Sequence, residues 1–280
     1  PAATAQLQGG CTDVYRYYAK YPAEWTRNGN NPEISEQSAS SSDIPVVGNI
    51  IGADGKFYAN RSSADELGGG AVAMVVALST KDEPLENGTQ YNGLAMALDL
   101  TAPRAMNAAD GYDNTCRLQK YSTWADQMKT LDGLTISQHM AGGCGREHSH
   151  PAVDLCVDYA SKLTAEGKAL HNYSSWFMPS FGQYLKAVQG AGWVLATSAG
   201  NSVTLQDNVA TLTNLCTASG LKYEDMFNIY WTCSLDHKAD DDDPVFIQTG
   251  PVFLYTFNGF NSAGATFDYY RARPYILFEY

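Results

Sequence analysis

The chain has 280 residues, with 18 basic and 30 acidic side chains, a formal charge of -12 and a pI near 4.7. Such an acidic chain does not attract phosphate backbones, so we do not expect nucleic acid to be its ligand. The sequence contains no uninterrupted apolar run of about 18 residues, the length that a membrane-spanning helix needs. The length suits one large domain, or one domain with an extension.

The first part of the chain, residues 1–43, is predicted to be an N-terminal arm and linker. Aromatic residues are frequent between Tyr15 and Trp25. They give way to the polar stretch from Asn28 to Pro32 and to the serine cluster from Ser38 to Ser42. This composition is typical of a docked arm followed by a linker. Residues 44–280 are then the main domain.

Three strands are predicted at the start of that domain. Val47 to Ile51 leads into a turn at Ala53 to Lys56. Ala71 to Leu78 is a short apolar run rich in β-branched residues, and Tyr91 to Leu98 is another apolar run. Runs of this length and composition favour strands.

Four amphipathic stretches follow and predict helices in the middle of the chain. The first is capped by Ser122 and carries Trp124, Met128 and Leu131. The second begins at Pro151 and continues through Val153, Val157, Ala160 and Leu163. The third begins at Ser180, which forms the pattern of a capping box with Gln183, and the fourth runs from about Asp207 to Gly220.

Strand patterns return after Gly220, at Phe227 to Cys233, Val252 to Phe257 and Tyr275 to Phe278. Strands at both ends and helices between them favour an α+β fold, because alternating βαβ units are absent. We therefore expect the two ends of the domain to share one antiparallel sheet.

Six cysteines occur in a chain rich in Tyr, Ser and Asn: Cys11, Cys116, Cys144, Cys156, Cys216 and Cys233. Their even number favours disulfides and an oxidising compartment, without selecting a pairing. The alternative is buried free thiols, because Cys156 and Cys216 lie inside helical patterns.

Three short motifs occur in order along the chain: Trp176-Phe177-Met178-Pro179-Ser180 with Gln183, then Tyr230-Trp231-Thr232-Cys233-Ser234, then Arg271-Ala272-Arg273-Pro274. Together they resemble a pattern that recurs in bacterial and phage proteins with a C-type-lectin-like fold. In those proteins a W-x-L-P-S helix start, a Y-W-S-S strand and a V-R-P-V ending follow one another. Val72 to Leu78 and Asn92 to Leu98 also look like the opening strands of this domain, so the resemblance covers residues 44–280.

Within this group the chain resembles the variable proteins of diversity-generating retroelements. The resemblance implies a C-type-lectin-like fold with mixed antiparallel sheets and two or more helices. It also implies a C-terminal surface that is diversified to change what is bound, and structural roles for Trp231, Arg271, Arg273 and Pro274. The sequence departs from the pattern at Met178, at Thr232-Cys233 and at Ala272.

A binding face is also predicted from composition, because aromatic residues stand beside Ser, Asn, Gly and Asp after Asn228. Rigid aromatic rings beside small polar residues are typical of paratopes. The alternative is ordinary packing, since aromatic residues form strands and half of them face inward by alternation. The predicted ligand contacts are Ser234, Asp236, His237, Tyr255, Asn258, Phe260, Asn261, Ser262, Phe267, Asp268, Tyr269 and Tyr270. The stretch from Asn258 to Gly264 carries two glycines, which favour an exposed turn.

One cluster offers imidazole and thiolate groups: His139, Cys144, His148, His150 and Cys156. Zinc needs four such ligands in a tetrahedron, and this spacing matches no known zinc pattern. A disulfide between Cys144 and Cys156, or surface histidines, are the alternatives. The cluster is the basis of the second functional hypothesis, a metal- or thiol-dependent enzyme on the same fold.

The acidic run from Asp240 to Asp243 lacks the alternating ligand spacing of a calcium loop, and a solvated loop is the favoured interpretation. Hydrolase and nucleotide-binding motifs are absent from the sequence. The sequence therefore predicts a non-enzymatic adhesion or receptor-recognition protein without a cofactor. We expect it on a cell surface, in the extracellular medium or on a virion, where it binds a protein or glycan of another cell or particle, as a monomer or an oligomer. A structural fibre component is a third, weaker hypothesis.

Overall fold

The computed structural model describes most of the main domain. The described residues are 40–99, 101–104, 126, 128–141, 150–192, 194–197, 203–206, 209–222, 225, 230–235, 244–247, 255–256 and 271–280. Within them the chain forms six α-helices and three antiparallel sheets. This is the α+β class that the order of the predicted elements indicates.

The described strands and helices have the following bounds. The strands are β1 (Ser41–Ser42), β2 (Ile50–Gly52), β3 (Phe57–Tyr58), β4 (Ala71–Leu78), β5 (Gly93–Ala97), β6 (Val194–Thr197), β7 (Val203–Gln206), β8 (Tyr230–Leu235), β9 (Pro244–Ile247), β10 (Tyr255–Thr256) and β11 (Tyr275–Phe278). The helices are α1 (Arg61–Leu67), α2 (Gly133–Ala141), α3 (Pro151–Val157), α4 (Tyr159–Ala165), α5 (Phe181–Gly190) and α6 (Val209–Ser219). Each of these helices is too short or too polar to cross a bilayer.

The main sheet joins the two ends of the domain. Its strand order is β1-β3-β2-β4-β5-β11, and every neighbouring pair is antiparallel. The C-terminal strand β11 pairs with β5, so that Tyr275 lies opposite Met96 and Phe278 opposite Gly93. The prediction that both ends share one antiparallel sheet is confirmed. Two smaller sheets have the orders β10-β7-β6 and β8-β9.

Apolar residues cover both faces of the main sheet. Met74 and Val76 of β4 belong to the cluster that includes α5, whereas Ala73 and Val75 belong to the cluster that includes Tyr159 of α4. Successive side chains of a strand point to opposite faces, so β4 is buried on both sides. This burial explains why the sequence of β4 is an unbroken apolar run and not an alternating one.

Helix α5 begins and ends as its sequence requires. The Gln183 N–H donates to the Ser180 hydroxyl at 3.4 Å, and the Ser180 N–H donates to Oε1 of Gln183 at 3.0 Å, so the predicted capping box is confirmed. At the other end, a Cβ on Gly190 would lie 1.7 Å from the carbonyl oxygen of Val76. Only glycine permits this approach of α5 to β4.

Several elements differ from the predictions. The helix predicted from Pro151 is divided into α3 and α4 by Asp158, whose ψ is -3°. Aspartate competes for backbone hydrogen bonds and favours helix ends, which explains the break. Ser41–Ser42, within the predicted linker, forms the edge strand β1. The sequence pattern did not predict α1, α2, β3, β6, β7 and β9. Of the helix predicted from Ser122, Ser122 and Trp124 lie outside the described residues, whereas residues 128–129 form a turn and residues 130–131 belong to no helix.

Candidate functional site

The predicted ligand contacts fall into three groups. Ser234 is described in full, and Tyr255 is described through its backbone, which pairs with Leu205 in the three-stranded sheet. The other predicted contacts lie outside the described residues: Asp236, His237, Asn258, Phe260, Asn261, Ser262, Phe267, Asp268, Tyr269 and Tyr270. The predicted binding segment is residues 236–270. We call the described residues before and after this segment the frame.

Ser234 lies in the interior and not on a surface. Its side chain has no exposed area, and its hydroxyl oxygen accepts the N–H of Phe181 at 2.8 Å. The first N–H groups of a helix have no partner within the helix, and Ser234 supplies one from β8. The prediction of Ser234 as a ligand contact is corrected accordingly, because its hydrogen-bonding capacity is used by α5.

Strand β8 is fixed to the frame along its length. The ring of Trp231 is fully buried and donates from Nε1 to the carbonyl oxygen of Arg104 at 2.8 Å. The Cys233 N–H donates to the carbonyl oxygen of Pro179 at 3.0 Å. A buried strand with its polar groups paired in this way gives the segment after Leu235 a rigid starting point.

Arg271, which follows the predicted binding segment in the sequence, lies beside the start of β8. The Trp231 N–H donates to the carbonyl oxygen of Arg271 at 3.0 Å, and Tyr230 and Arg271 form a parallel bridge. The Arg271 guanidinium also lies 3.3 Å from a carboxylate oxygen of Asp225. Since that side chain is 38% exposed, the ion pair contributes little free energy. The backbone bridge, not the ion pair, holds Arg271 beside Tyr230.

Arg273 is a buried charged residue whose hydrogen bonds connect β8 with other parts of the frame. Its guanidinium donates to the carbonyl oxygen of Ala97 at 2.7 Å, to the Tyr230 hydroxyl at 3.0 Å and to the carbonyl oxygen of Asp225. It also lies 5.2 Å above the centroid of the Tyr230 ring, a cation–π distance. A buried guanidinium needs such partners, because an unpaired charge in the interior is costly. The structure thus places Trp231 and Arg273 inside the frame.

A second buried group, Glu86, was not identified from the sequence. Its carboxylate accepts the N–H of Leu134 at 3.1 Å, the N–H and the hydroxyl of Thr135 at 3.0 Å each, and Nε2 of Gln183 at 2.8 Å. The first two N–H groups belong to the start of α2, where a negative charge is favourable. Burial raises the pKa of the Glu86 carboxyl above its ordinary value, and these hydrogen bonds oppose that change.

Around Glu86 a set of buried polar side chains joins four parts of the chain, and we name it the polar junction. Its members are Glu86, Ser137, Ser180, Gln183 and Ser234. Within it the Ser180 hydroxyl donates to the carbonyl oxygen of Thr130 at 2.6 Å. The Ser137 hydroxyl donates to the carbonyl oxygen of Met178 at 2.9 Å and accepts the Met178 N–H at 3.0 Å. The motif from Trp176 to Gln183 therefore has a structural role, because it forms hydrogen bonds with each of the other parts of the polar junction.

The predicted metal cluster is only partly described. Cys156 is a buried free thiol on α3, and burial raises its pKa. A protonated, inaccessible thiol is neither a nucleophile nor a metal ligand. The alternative disulfide between Cys144 and Cys156 is wrong, because Cys156 is free. His139 lies in the last turn of α2 and His150 immediately precedes α3, whereas Cys144 and His148 lie outside the described residues.

Cys233 is the second buried free thiol, and its pKa is raised by burial and by the nearby carboxyl groups of Asp132 and Glu86. Two free thiols among six cysteines mean that the chain is not paired throughout. In the described part of the chain, no three His, Cys, Asp or Glu side chains are grouped as a metal site requires.

Comparison with known proteins gives little further information. No model of a known protein family matches the chain, and no curated protein matches it. A solved structure, that of a fimbrial protein from Bacteroides ovatus ATCC 8483, is similar with a TM-score of 0.49 and 12% identity. The similarity covers 84% of this chain and 49% of that protein, so the chain spans about half of its length. At this TM-score the likeness supports no conclusion on fold or function.

Proposed function

We propose that this protein is a ligand-binding protein with a C-type-lectin-like fold, similar to the variable proteins of diversity-generating retroelements. The observation that carries the proposal is the backbone bridge between Tyr230 and Arg271, with the hydrogen bond from Trp231 to Arg271 at 3.0 Å. Residues 236–270 belong to the stretch of chain between these two bridged residues. Substitutions within that stretch can change what is bound while the bridge and the buried residues of β8 keep their own contacts.

The composition of residues 236–270 supports a binding role. It combines tyrosines with Asn, Ser and Gly, which provide rigid contact area and adaptable hydrogen bonds. Ser234 is buried and is no longer among the proposed ligand contacts. These contacts are Asp236, His237, Tyr255, Asn258, Phe260, Asn261, Ser262, Phe267, Asp268, Tyr269 and Tyr270. The stretch from Asn258 to Gly264 is the proposed centre of the face.

The proposed partner is a protein or a glycan on another cell or particle. The proposed location is a cell surface, the extracellular medium or a virion, with adhesion or receptor recognition as the role. We propose no cofactor and no chemical step.

The binding proposal is tested with the triple variant Tyr255→Ala, Tyr269→Ala and Tyr270→Ala. Purified wild type and variant are applied to arrays of glycans and of cell-surface proteins. We expect the variant to lose the wild-type signals and to keep the wild-type melting temperature, because surface substitutions change stability by about 0.5 kcal/mol or less each.

Tyr280→Ala is the matched control, since Tyr280 is an exposed tyrosine that lies outside the segment. It should keep every array signal. Unchanged binding by the triple variant, or its collapse on purification, would contradict the proposal, because the tyrosines would then be either irrelevant or part of the core.

Diversification by a retroelement is tested on the DNA. We expect a neighbouring reverse transcriptase gene and an imperfect repeat of the codons for about residues 228–273. If both are missing, the gene is not diversified, and the array experiment still decides whether the face binds a ligand.

The enzyme hypothesis is tested by elemental analysis of the purified protein. We expect no stoichiometric metal. Stoichiometric zinc or copper that is lost in a His150→Ala variant would instead revive a metal-dependent activity near α3.

A further inference from the structure

An exposed turn lies directly beside the buried Glu86. Its middle residues are Asn87 and Gly88, and the Thr89 N–H donates to the carbonyl oxygen of Glu86 at 3.3 Å. Gly88 has a φ of +74°, as expected for the third residue of a type II turn. The sequence contains four Asn-Gly pairs, of which this pair and Asn92-Gly93 are described.

The Asn87-Gly88 pair is accessible and unhindered. Both residues are exposed, and a Cβ built on Gly88 would have no atom within 4 Å. Among the described residues, neither the Gly88 N–H nor the side-chain amide of Asn87 makes a hydrogen bond. The two reacting groups of a succinimide, the side-chain amide of Asn87 and the following backbone nitrogen, are therefore free of hydrogen bonds and open to water.

We infer that Asn87 is a site of spontaneous deamidation that alters the polar junction. The Gly88 nitrogen loses its proton and attacks Cγ of Asn87, a C–N bond forms, and ammonia leaves with Nδ2. Water then opens the succinimide ring at one of its two carbonyl groups. The products are aspartate or isoaspartate at position 87, and the reaction needs no oxidant, metal or enzyme.

Asn92-Gly93 has the same residues in an environment that prevents this reaction. Asn92 is buried, its Nδ2 donates to the carbonyl oxygen of Tyr280 at 3.5 Å, and its Oδ1 accepts the Tyr280 N–H at 3.1 Å. Gly93 pairs with Leu78 on one side and with Phe278 on the other. The side chain cannot rotate towards the next nitrogen without opening β5, which costs a large part of the unfolding free energy.

The modification has a structural consequence because of its position. Isoaspartate adds one atom to the backbone between Glu86 and Thr89, and either product adds a negative charge next to the Glu86 carboxylate. Glu86 holds the start of α2 and the side chain of Gln183 through its hydrogen bonds. Displacing it leaves buried donors without an acceptor, which destabilises the domain.

The experiment is incubation of the full chain at mildly alkaline pH, followed by peptide mapping that locates each added acid group. We expect Asn87 to deamidate in the folded protein more than about tenfold faster than Asn92. In denaturant both residues should react at similar rates. The melting temperature of the incubated wild type should fall in step with the fraction modified at Asn87.

Asn87→Gln is the matched variant, because glutamine keeps the amide but forms the cyclic intermediate much more slowly. After the same incubation it should keep its melting temperature, whereas Asn87→Asp should start with the lower value. The inference is overturned if folded Asn92 reacts as fast as Asn87. It is also overturned if folded Asn87 stays intact while the denatured chain reacts, or if modification at Asn87 leaves the melting temperature unchanged.

Discussion

The main sheet and the polar junction lie in the same domain but are held together by different forces. In the main sheet, Ile51, Val75 and Ile276 contact other apolar side chains, so each contact is replaceable by another of similar volume. In the polar junction, Glu86 satisfies donors from two helices, and no other residue type has the same two acceptor oxygens and length as glutamate. The sheet should therefore tolerate small changes that the junction does not.

The largest effect is expected for Glu86→Ala, which removes the acceptor for four hydrogen bonds and leaves a cavity. We expect a loss of about 3–5 kcal/mol in the free energy of unfolding, measured by urea denaturation. The neighbouring exposed Glu83→Ala should have almost no effect. A loss of 1 kcal/mol or less for Glu86→Ala, on the order of a single apolar truncation, would remove the distinction between the two regions.

The next effect concerns Cys216 on α6, for which we expect a disulfide. Cys216→Ser should lower the free energy of unfolding by about 2–4 kcal/mol under non-reducing conditions. The same variant should differ little from wild type in a reducing buffer. Mass spectrometry after alkylation should find Cys156 and Cys233 as free thiols once the protein is unfolded. A free thiol at Cys216 would contradict the prediction.

A smaller effect is expected in the main sheet for Ile276→Val, which removes one methylene group from a buried side chain of β11. We expect a loss of about 0.5–1.5 kcal/mol with an unchanged dependence on urea. Glu86→Gln provides a comparison, because it keeps the shape of the side chain but places an amide N–H₂ group against buried donors. If Glu86→Gln lowers the free energy of unfolding less than Ile276→Val does, the shape of residue 86 and not its hydrogen bonding stabilises the polar junction.

The smallest effect is expected at the surface pair of Asp99 and Lys162, whose charged atoms lie 2.6 Å apart. Partial burial raises the pKa of Asp99, but the hydrogen bond and the charge of Lys162 outweigh it, so the net change is a lowered pKa. The carboxylate therefore stabilises the fold above its ordinary pKa of 3.8 and loses this contribution as the pH falls below it.

Asp99→Asn should accordingly cost about 0.2–1 kcal/mol at neutral pH and nothing at a pH well below the ordinary value. Thermal denaturation of both proteins across this pH range provides the measurement. An equal difference at both ends of the range would show that the charge of Asp99 has no part in it.

Much of the fold was predictable because the information is local. The apolar run from Ala71 to Leu78 matches β4, and Tyr275 to Phe278 matches β11 to the residue. The capping box at Ser180 and Gln183 requires only residues three apart, so its pattern can be recognised before the fold is known. Helix α2 was missed because it begins with glycine and its apolar residues are interrupted by polar ones.

The site was less predictable, because burial of a polar residue depends on distant partners. Ser234 was predicted as a ligand contact from its neighbours in a tyrosine-rich stretch, yet its partner Phe181 lies 53 residues away. Glu86 stands in a polar segment next to Asn87-Gly88, which is typical of a solvated loop, and its partner Gln183 lies 97 residues away. The predicted contacts from Asp236 to Tyr270 remain predictions for their side chains.

The sequence by itself determined the α+β class, the buried strands β4 and β11 and the start of α5, because spacing, apolar periodicity and capping act between neighbours along the chain. Only the tertiary structure decided that Glu86 and Ser234 are interior hydrogen-bonding groups, that Cys156 is free, and that Tyr230 and Arg271, which are distant in the sequence, form a backbone bridge. The physical reason is that a polar group is stable in the interior only when a partner is supplied there, and the partner comes from whichever distant segment the fold brings alongside.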